Sequence, residues 1–294
     1  MKNLPIKRIS KIGWIILFLA PSLVGLVLFT ILPIIASLAL TFTEWDLITP
    51  PQFVGFSNYI RIVGDAKFWN ALKHTLGFIF GYIPLVLVTS LSAALLLDQK
   101  LIGRKFLRTS FFIPVVSAWV AVALLWMWIF NPKYGLLNYL ISLIGITGPA
   151  WLYDPTWAMP AIILTSVWKD TGFFMIMFIA GLQNIPEIYY EAAKIDGAGS
   201  LGRFFRITLP LLTPTAFFVV IIALINSFQV FDQVWIMTQG GPAGSTSVVV
   251  EQIVRNAFDY SRMGYAATIS WALFLLVFIT TLFQMRLQKR WVSY

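Results

Sequence analysis

Long runs of apolar residues, separated by shorter polar segments, dominate the pattern along this chain. A helix needs about 20 apolar residues to cross the roughly 30 Å hydrocarbon layer of a bilayer, and its backbone groups must pair within the helix. Six runs meet that length: about 12–40, 76–97, 111–130, 158–182, 211–235 and 265–285. The pattern therefore predicts an all-α, multi-pass membrane protein with six transmembrane helices, in which residues 1–294 form a single transmembrane domain.

The distribution of Lys and Arg predicts which side of the membrane the loops face. With six spans, both termini lie on one side. Fourteen of the 21 Lys and Arg residues fall on that side, six fall on the other, and Lys169 lies inside the fourth span. The fourteen are Lys2, Lys7, Arg8, Lys11, Lys100, Arg104, Lys105, Arg108, Lys194, Arg203, Arg206, Arg286, Lys289 and Arg290. Because cytoplasmic loops carry an excess of these residues, we expect both termini in the cytoplasm.

Composition agrees with a membrane protein and excludes several other classes. Hydrophobic residues make up 59% of the 294 residues and charged residues 11%, which leaves too few polar residues to coat a water-soluble globule of this length. The sequence has no Cys and one His, so it offers no disulfide framework, thiolate metal site or Cys nucleophile, and we expect neither a catalytic site nor a metal site. The net charge of +9 is attributed to membrane topology, and no nucleic-acid partner is expected.

A polar segment at 183–210, between the fourth and fifth runs, is too long for a simple turn and has the pattern of two short helices. Ile188 and Ile195 lie on one stripe of the first helix. Gly197 favours a chain reversal, and Pro210 ends the second helix before the membrane. Two amphipathic helices that project from a bilayer are suited to docking into a groove on another protein. The alternative is a surface hairpin that only connects two spans.

The motifs in this segment resemble the EAA loop of ABC importer permeases, which follows the pattern EAAxxDGA, a spacer, and IxLPxxxP. They are Glu191-Ala192-Ala193, Asp196-Gly197-Ala198, Phe205, Ile207, Leu209-Pro210 and Pro214. Further stretches extend the resemblance over nearly the whole chain, to sugar permeases of the maltose and glycerol-phosphate uptake type. These stretches are Phe53-Val54-Gly55-Phe56-Ser57-Asn58-Tyr59, Trp168-Lys169, Gly181-Leu182-Gln183-Asn184-Ile185-Pro186 and Gly240-Gly241-Pro242-Ala243.

The resemblance implies that this segment is a coupling hairpin, which docks on an ATP-binding subunit and transmits its closure to the membrane helices. The coupling residues it implies are Glu191, Ala192, Ala193, Asp196, Gly197, Leu209 and Pro210. It also implies two copies of the ATP-binding subunit, a second similar permease subunit and an extracytoplasmic solute-binding protein that delivers a sugar. A homodimeric permease core is the alternative. The expected location is the cytoplasmic membrane of a bacterium or archaeon.

The sequence lacks the phosphate-cradling pattern GxxxxGK[ST]. We therefore expect ATP and Mg to be used by the partner ATPase subunits, and this chain to be a non-catalytic subunit that binds no cofactor. A secondary transporter driven by an ion gradient is the alternative function, but it would need coupling-ion carboxylates at membrane depth, where only Asp170 is clearly placed. A multi-pass enzyme would need a catalytic constellation, and the single His without Cys argues against one.

Five polar residues predicted at membrane depth are candidates for the solute path. Lys169 lies about 11 residues into the fourth span, or roughly 16 Å along it, and Asp170 follows directly. Ionisable groups at that depth are costly unless they face a cavity or a partner, so Lys169 either hydrogen-bonds sugar hydroxyls or braces two spans in an ion pair. Asn226, Gln229 and Gln233 follow i, i+3, i+7 spacing on the fifth span, where amides suit polyol recognition. Interhelical hydrogen bonding is the alternative for these amides.

Overall fold

The computed structural model describes residues 11–99 and 101–291, and this part of the chain is mostly helical. Four residues counted above toward the cytoplasmic side, Lys2, Lys7, Arg8 and Lys100, lie outside the described residues. A short antiparallel ribbon pairs β1 (Thr43–Glu44) with β2 (Gln52–Phe53), with Thr43 opposite Phe53 and Glu44 opposite Gln52.

The helices follow one another along the chain and are interrupted by short irregular turns. They are α1 (Lys11–Leu26), α2 (Leu32–Leu40), α3 (Ser57–Gly64), α4 (Ala66–Asp98), α5 (Arg104–Val116), α6 (Trp119–Ile129), α7 (Leu136–Ser142), α8 (Ala158–Gln183), α9 (Glu187–Ile195), α10 (Ser200–Arg203), α11 (Leu209–Leu211), α12 (Thr213–Phe228), α13 (Asp232–Met237), α14 (Val249–Val254) and α15 (Met263–Trp291). The π-helical turns are Val27–Ile31, Phe204–Thr208 and Arg255–Asp259, and a 3₁₀ turn spans Trp151–Tyr153.

Within the described residues, four helices are long and apolar enough to cross a membrane. They are Phe18–Leu40, α4, α8 and the Met263–Gln288 part of α15. Two further pairs qualify only when taken together, because each is bent: α5 with α6 by 102°, and Ser200–Leu211 with α12 by 62°. The described part of the chain therefore holds four candidate spans, or up to six if each bent pair is one span.

Two of the predicted spans are not continuous helices. The run 111–130 breaks at Ser117 and Ala118, which both have extended backbone, and the run 211–235 breaks between α12 and α13. The first break lies between two hydrophobic stretches, so apolar periodicity does not reveal it, and the polar residues around the second break are compatible with a continuous helix that has one polar face. The carbonyl groups at the first break accept hydrogen bonds from Lys169, a side chain far away in sequence.

The described residues group into two packed units, of which the first comprises 11–64 and 256–271. Buried Asn58 donates from Nδ2 to the carbonyl oxygens of Thr41 and Thr43, each at 2.9 Å. A Cβ added to Gly264 would meet the carbonyl oxygen of Thr43, so only glycine allows α15 to begin this close to the ribbon. The unit also contains a polar cavity of about 220 Å³, lined partly by Asp46. Hydrogen bonds from the backbone N–H groups of Thr49 and Ile48 and from the Thr49 hydroxyl lower the pKa of Asp46.

The second unit comprises 65–255 and 272–291, and its core lies where α4 packs on α8. Its largest fully buried side chains include Phe78 and Tyr82 of α4 and Phe174 and Phe178 of α8. Helix α5 also packs on α8, and the contact is close at Gly172, where a Cβ would meet the carbonyl oxygen of Phe111. Small residues allow such close approach of membrane helices.

Candidate solute cavity and coupling hairpin

A cavity of about 290 Å³ opens in the second unit where α12 ends. Its volume is close to the lower limit of small-molecule sites, which span roughly 300–1,000 Å³. Its walls combine aromatic rings with carboxylate, amide and hydroxyl groups. The lining residues are Phe78, Tyr82, Trp119, Asp170, Asn226, Ser227, Gln229, Val230, Phe231, Asp232 and Gln233.

Asp170 is held in this cavity by a tyrosine from the neighbouring helix. The Tyr82 hydroxyl donates to Asp170 Oδ2 at 2.6 Å, and Tyr82 itself is fully buried. The pair joins α4 to α8 and presents carboxylate oxygens that can accept hydrogen bonds from a solute hydroxyl. Asp170 is therefore where the sequence predicted a polar group, while Tyr82 and Trp119 were missed, since one aromatic residue among 47 carries no distinguishing signal.

The structure brings Asn226, Gln229 and Gln233 to the same cavity, but not through the predicted shared helix face. Helix α12 ends at Phe228 and α13 begins at Asp232, so the three amides do not belong to one helix. Asn226 and Gln229 are exposed, whereas Gln233 is buried and donates from Nε2 to Ser166 Oγ at 3.2 Å. Gln233 thus makes the interhelical hydrogen bond that was the alternative for these amides, and the other two are free to face a solute.

Lys169, which was predicted to lie on the solute path, is not among the described residues that line the cavity. It is buried, and its Nζ donates to the carbonyl oxygens of Pro114 at 3.1 Å and Val115 at 2.9 Å. Adjacent residues on a helix point about 100° apart, which places Lys169 against α5 while Asp170 reaches the cavity. Lys169 therefore does brace two helices, but through carbonyl groups and not through the ion pair considered above.

Residues 187–211 form a helical hairpin whose reversal is built around Gly197. The N–H of Ala198 donates to the carbonyl of Ala193 at 2.8 Å, and the N–H of Gly197 donates to that of Lys194 at 3.1 Å. These two bonds, with Gly197 at φ +76°, form the Schellman motif that ends α9. The Asp-Gly-Ala part of the resemblance is thus a helix terminus that requires a left-handed residue, and glycine adopts that conformation without strain.

The hairpin carries apolar side chains on its surface. Ile195 is 87% exposed and Leu201 73%, and Ile188 and Phe205 are also exposed. Glu191 and Ala192 are also exposed, and Ala193 is half-buried. The Tyr190 hydroxyl lies 2.9 Å from Thr208 Oγ1, and this hydrogen bond joins α9 to the second arm of the hairpin, residues 200–211. Leu209 and Pro210 lie at the base of that arm, before the bend into α12. Exposed apolar side chains grouped in this way are typical of a protein docking surface.

A buried carboxylate that sequence reasoning missed lies in the segment after α13. Glu251 accepts hydrogen bonds from Ser247 Oγ at 2.6 Å and Gln252 Nε2 at 3.1 Å, and it pairs with Arg255. Arg255 also donates to the carbonyl oxygen of Gln239 at 2.7 Å. The network therefore braces the glycine-rich loop that follows α13. Within the described residues, no cluster of three or more His, Cys, Asp or Glu side chains could hold a metal ion.

Removing the charge of this carboxylate should destabilise the protein. Glu251→Gln replaces the charged acceptor of Arg255 with a neutral amide in a buried setting, and we expect a loss of about 1–3 kcal/mol, as for other charged hydrogen-bonded groups. Thermal unfolding of the detergent-solubilised protein measures this effect. Glu44→Gln, at an exposed position, is the matched control and should unfold like the unmodified protein. Equal stability of the two variants would show that the network contributes nothing.

Comparison with known proteins decides the family. Residues 86–293 match the family described as "binding-protein-dependent transport system inner membrane component". This chain belongs to that family. The resemblance read from the motifs at 191–214 is thereby confirmed, and the inner membrane component is a multi-pass protein of the cytoplasmic membrane.

Relatives cover nearly the whole of this inner membrane component. The probable ABC transporter permease protein YesP of Bacillus subtilis is 38% identical over 94% of this chain and 91% of its own. The trehalose/maltose transport system permease protein MalF of Thermococcus litoralis is 34% identical over 96% of this chain and 95% of its own. A similar solved structure is the crystal structure of a bacterial alginate ABC transporter in complex with an alginate pentasaccharide-bound periplasmic protein. One of its chains superposes with a TM-score of 0.84 at 24% identity, over 95% of this chain and 96% of its own. The two chains therefore share the fold.

Proposed function

We propose that this chain is the membrane-spanning permease subunit of an ATP-driven sugar importer. The observation that carries the proposal is its family membership together with whole-length similarity to permeases named for sugar transport. Besides the trehalose/maltose permease, these include the lactose transport system permease protein LacF of Rhizobium radiobacter, 38% identical over 92% of this chain. The cavity supports the same proposal, because its amides, carboxylates and aromatic rings are the groups that bind sugars.

The transport path operates by alternating access, in which the cavity is opened to one side of the membrane at a time. We count six spans, of which α5 with α6 forms one and α12 another, and place both termini and the 187–211 hairpin on the cytoplasmic side. The Lys and Arg distribution supports this orientation, since Arg104, Lys105, Lys194, Arg203 and Arg206 fall on the hairpin's side of the membrane.

The hairpin docks on an ATP-binding subunit. Its exposed apolar side chains and the complete EAA pattern support this role. The assembled importer then contains two ATP-binding subunits, which use ATP and Mg, a second similar permease and an extracytoplasmic solute-binding protein. This chain is a non-catalytic subunit without a cofactor of its own, in the cytoplasmic membrane of a bacterium or archaeon.

Sugar-stimulated ATP hydrolysis tests this function. The chain is purified in mild detergent with its co-expressed partners, and single sugars are added with the solute-binding protein. We expect an ATPase subunit to co-purify, and one sugar or a small group to stimulate hydrolysis. A chain that purifies without an ATPase subunit, or that moves sugar unaided in liposomes, would contradict the proposal.

The exposed amides of the cavity give a test of the solute path. The double variant Asn226→Ala with Gln229→Ala should reduce uptake at limiting sugar by about tenfold, because each lost hydrogen bond is worth roughly 0.5–1.5 kcal/mol. Both side chains are exposed, so the fold should tolerate the change. Gln99→Ala, an exposed amide elsewhere, is the control. Unchanged uptake in the double variant would remove these amides from the path.

A further inference from the structure

The broken span formed by α5 and α6 creates a problem for membrane burial. The last four carbonyl groups of a helix lack partners within the helix, and they form the negative end of its dipole. Helix α5 ends at Val116, and the chain turns by 102° before α6 begins at Trp119. Away from water each unsatisfied backbone group costs several kcal/mol. Ser117 donates from Oγ to the carbonyl of Ile113 and from its N–H to that of Pro114, so the carbonyl of Val115 is left to find a partner from elsewhere.

Lys169 of α8 supplies this partner. Its Nζ donates to the carbonyl oxygens of Pro114 and Val115, both in the last turn of α5. The same ammonium lies 5.0 Å from the centroid of the Trp119 ring, within the range of a cation–π contact. The side chain is 5% exposed. A single cation thus contacts the end of one half of the span and the first residue of the other half.

Trp119 is also part of the cavity wall, together with Asp170, the residue after Lys169. We infer that Lys169 is a positioning residue: it caps α5 at the break and holds the Trp119 ring in the wall of the solute cavity. Trp119 is then a specificity-determining residue, because its position sets the size of the solute that fits. This inference rests on the proposed function, which makes the cavity the solute site and the solute a sugar.

Gly172, one turn further along α8, supports the same arrangement. A Cβ at Gly172 would meet the carbonyl oxygen of Phe111 and would lie 3.1 Å from Val115 Cγ2. The absence of a side chain therefore lets α5 approach α8 closely enough for Lys169 to reach the carbonyls at its end. The close contact at Gly172 and the hydrogen bonds from Lys169 thus both involve the last two turns of α5.

Single-cysteine labelling tests the inference without any substrate. The sequence has no native Cys, so Ser227→Cys, at a buried position of the lining, places one thiol in the cavity wall. The Lys169→Met variant keeps a side chain of similar length but has no hydrogen-bond donor. The Trp119 ring is then no longer held against the end of α5, water enters the cavity wall, and a hydrophilic thiol reagent should label the cysteine about tenfold faster. Lys169→Arg keeps the cation and should label like the unmodified lysine. Trp119→Ala should label as fast as Lys169→Met.

A double-mutant cycle separates positioning from mere structural support. If Lys169 acts through Trp119, the combined Lys169→Met and Trp119→Ala variant should label no faster than Trp119→Ala alone. Additive effects, or labelling by Lys169→Met at the unmodified rate, would overturn the inference. Should Lys169→Met fail to fold, Lys169→Gln, which keeps amide donors but no charge, takes its place in the cycle.

The uptake readout distinguishes this inference from the proposed function. In the complete transporter, Lys169→Met should raise the sugar concentration for half-maximal uptake by about tenfold, and Lys169→Arg should restore it. A fall in maximal rate alone would contradict a role in specificity. If no sugar is transported by the unmodified complex, the proposed function fails, and the labelling results still decide whether Lys169 positions Trp119.

Discussion

Replacing Gly197 with proline should abolish sugar uptake while the protein still inserts and the soluble binding protein still binds sugar. Gly197 has φ +76°, whereas the φ of proline is fixed near −65°. The N–H of Gly197 also donates to the Lys194 carbonyl, and proline has no N–H to make that bond. The Schellman terminus of α9 would be lost, and with it the relative position of the two arms. Uptake into proteoliposomes, with membrane insertion measured in parallel, checks this result.

Other hairpin positions provide the controls for this prediction. Gly202 lies in α10, and a Cβ there would meet nothing within 4 Å, so Gly202→Ala should transport normally. Gly197→Ala keeps the N–H but places a side chain at positive φ, and it should be intermediate. Glu191→Lys reverses the charge of an exposed side chain at the docking surface and should also abolish uptake. Normal transport by both Gly197→Pro and Glu191→Lys would show that the hairpin is not the coupling element.

Replacing Gly172 with leucine should prevent the second unit from packing. The new side chain would meet the backbone carbonyl of Phe111, which cannot rotate away, so α5 would be displaced from α8. Overpacking of this kind costs typically about 1–3 kcal/mol, and here Lys169 would also lose its acceptors at Pro114 and Val115. We expect a large fall in the yield and thermal stability of the purified protein.

Gly77→Leu is the matched control for this substitution. Gly77 lies in α4, is exposed, and has nothing within 4 Å of a built Cβ. The same change of glycine to leucine should therefore be tolerated there. Melting curves in detergent compare the two variants with the unmodified protein. Equal stability of Gly172→Leu and Gly77→Leu would mean that the approach of α5 to α8 does not depend on glycine.

The sequence predicted the features that depend on residues close together along the chain. Helices α4 and α8 were visible as apolar runs, because burial in lipid requires hydrophobic side chains at consecutive positions. The reversal at Gly197 was visible for a similar reason, since the turn is formed by adjacent residues. The family followed from the motifs around it, which lie within 24 residues of one another, from Glu191 to Pro214.

The features that were missed depend on residues far apart in sequence. At the break after Val116, Lys169, which lies more than 50 positions later, donates to the carbonyls of Pro114 and Val115. The amides of Asn226, Gln229 and Gln233 were assigned to one helix face, because no local signal marks the end of α12 at Phe228. The cavity depends on this break and on Tyr82 from another helix, so composition and periodicity could not define it.

Sugar uptake by reconstituted vesicles distinguishes an ATP-driven permease subunit from a self-contained transporter. Proteoliposomes are prepared with this chain alone, and with this chain together with its second permease and ATP-binding subunits, and each is supplied with the solute-binding protein and a radiolabelled sugar. We expect uptake only by the complete assembly, and only when ATP is present on the side of the ATP-binding subunits. Sugar accumulation by this chain alone, driven by an ion gradient, would contradict this expectation and favour a secondary transporter.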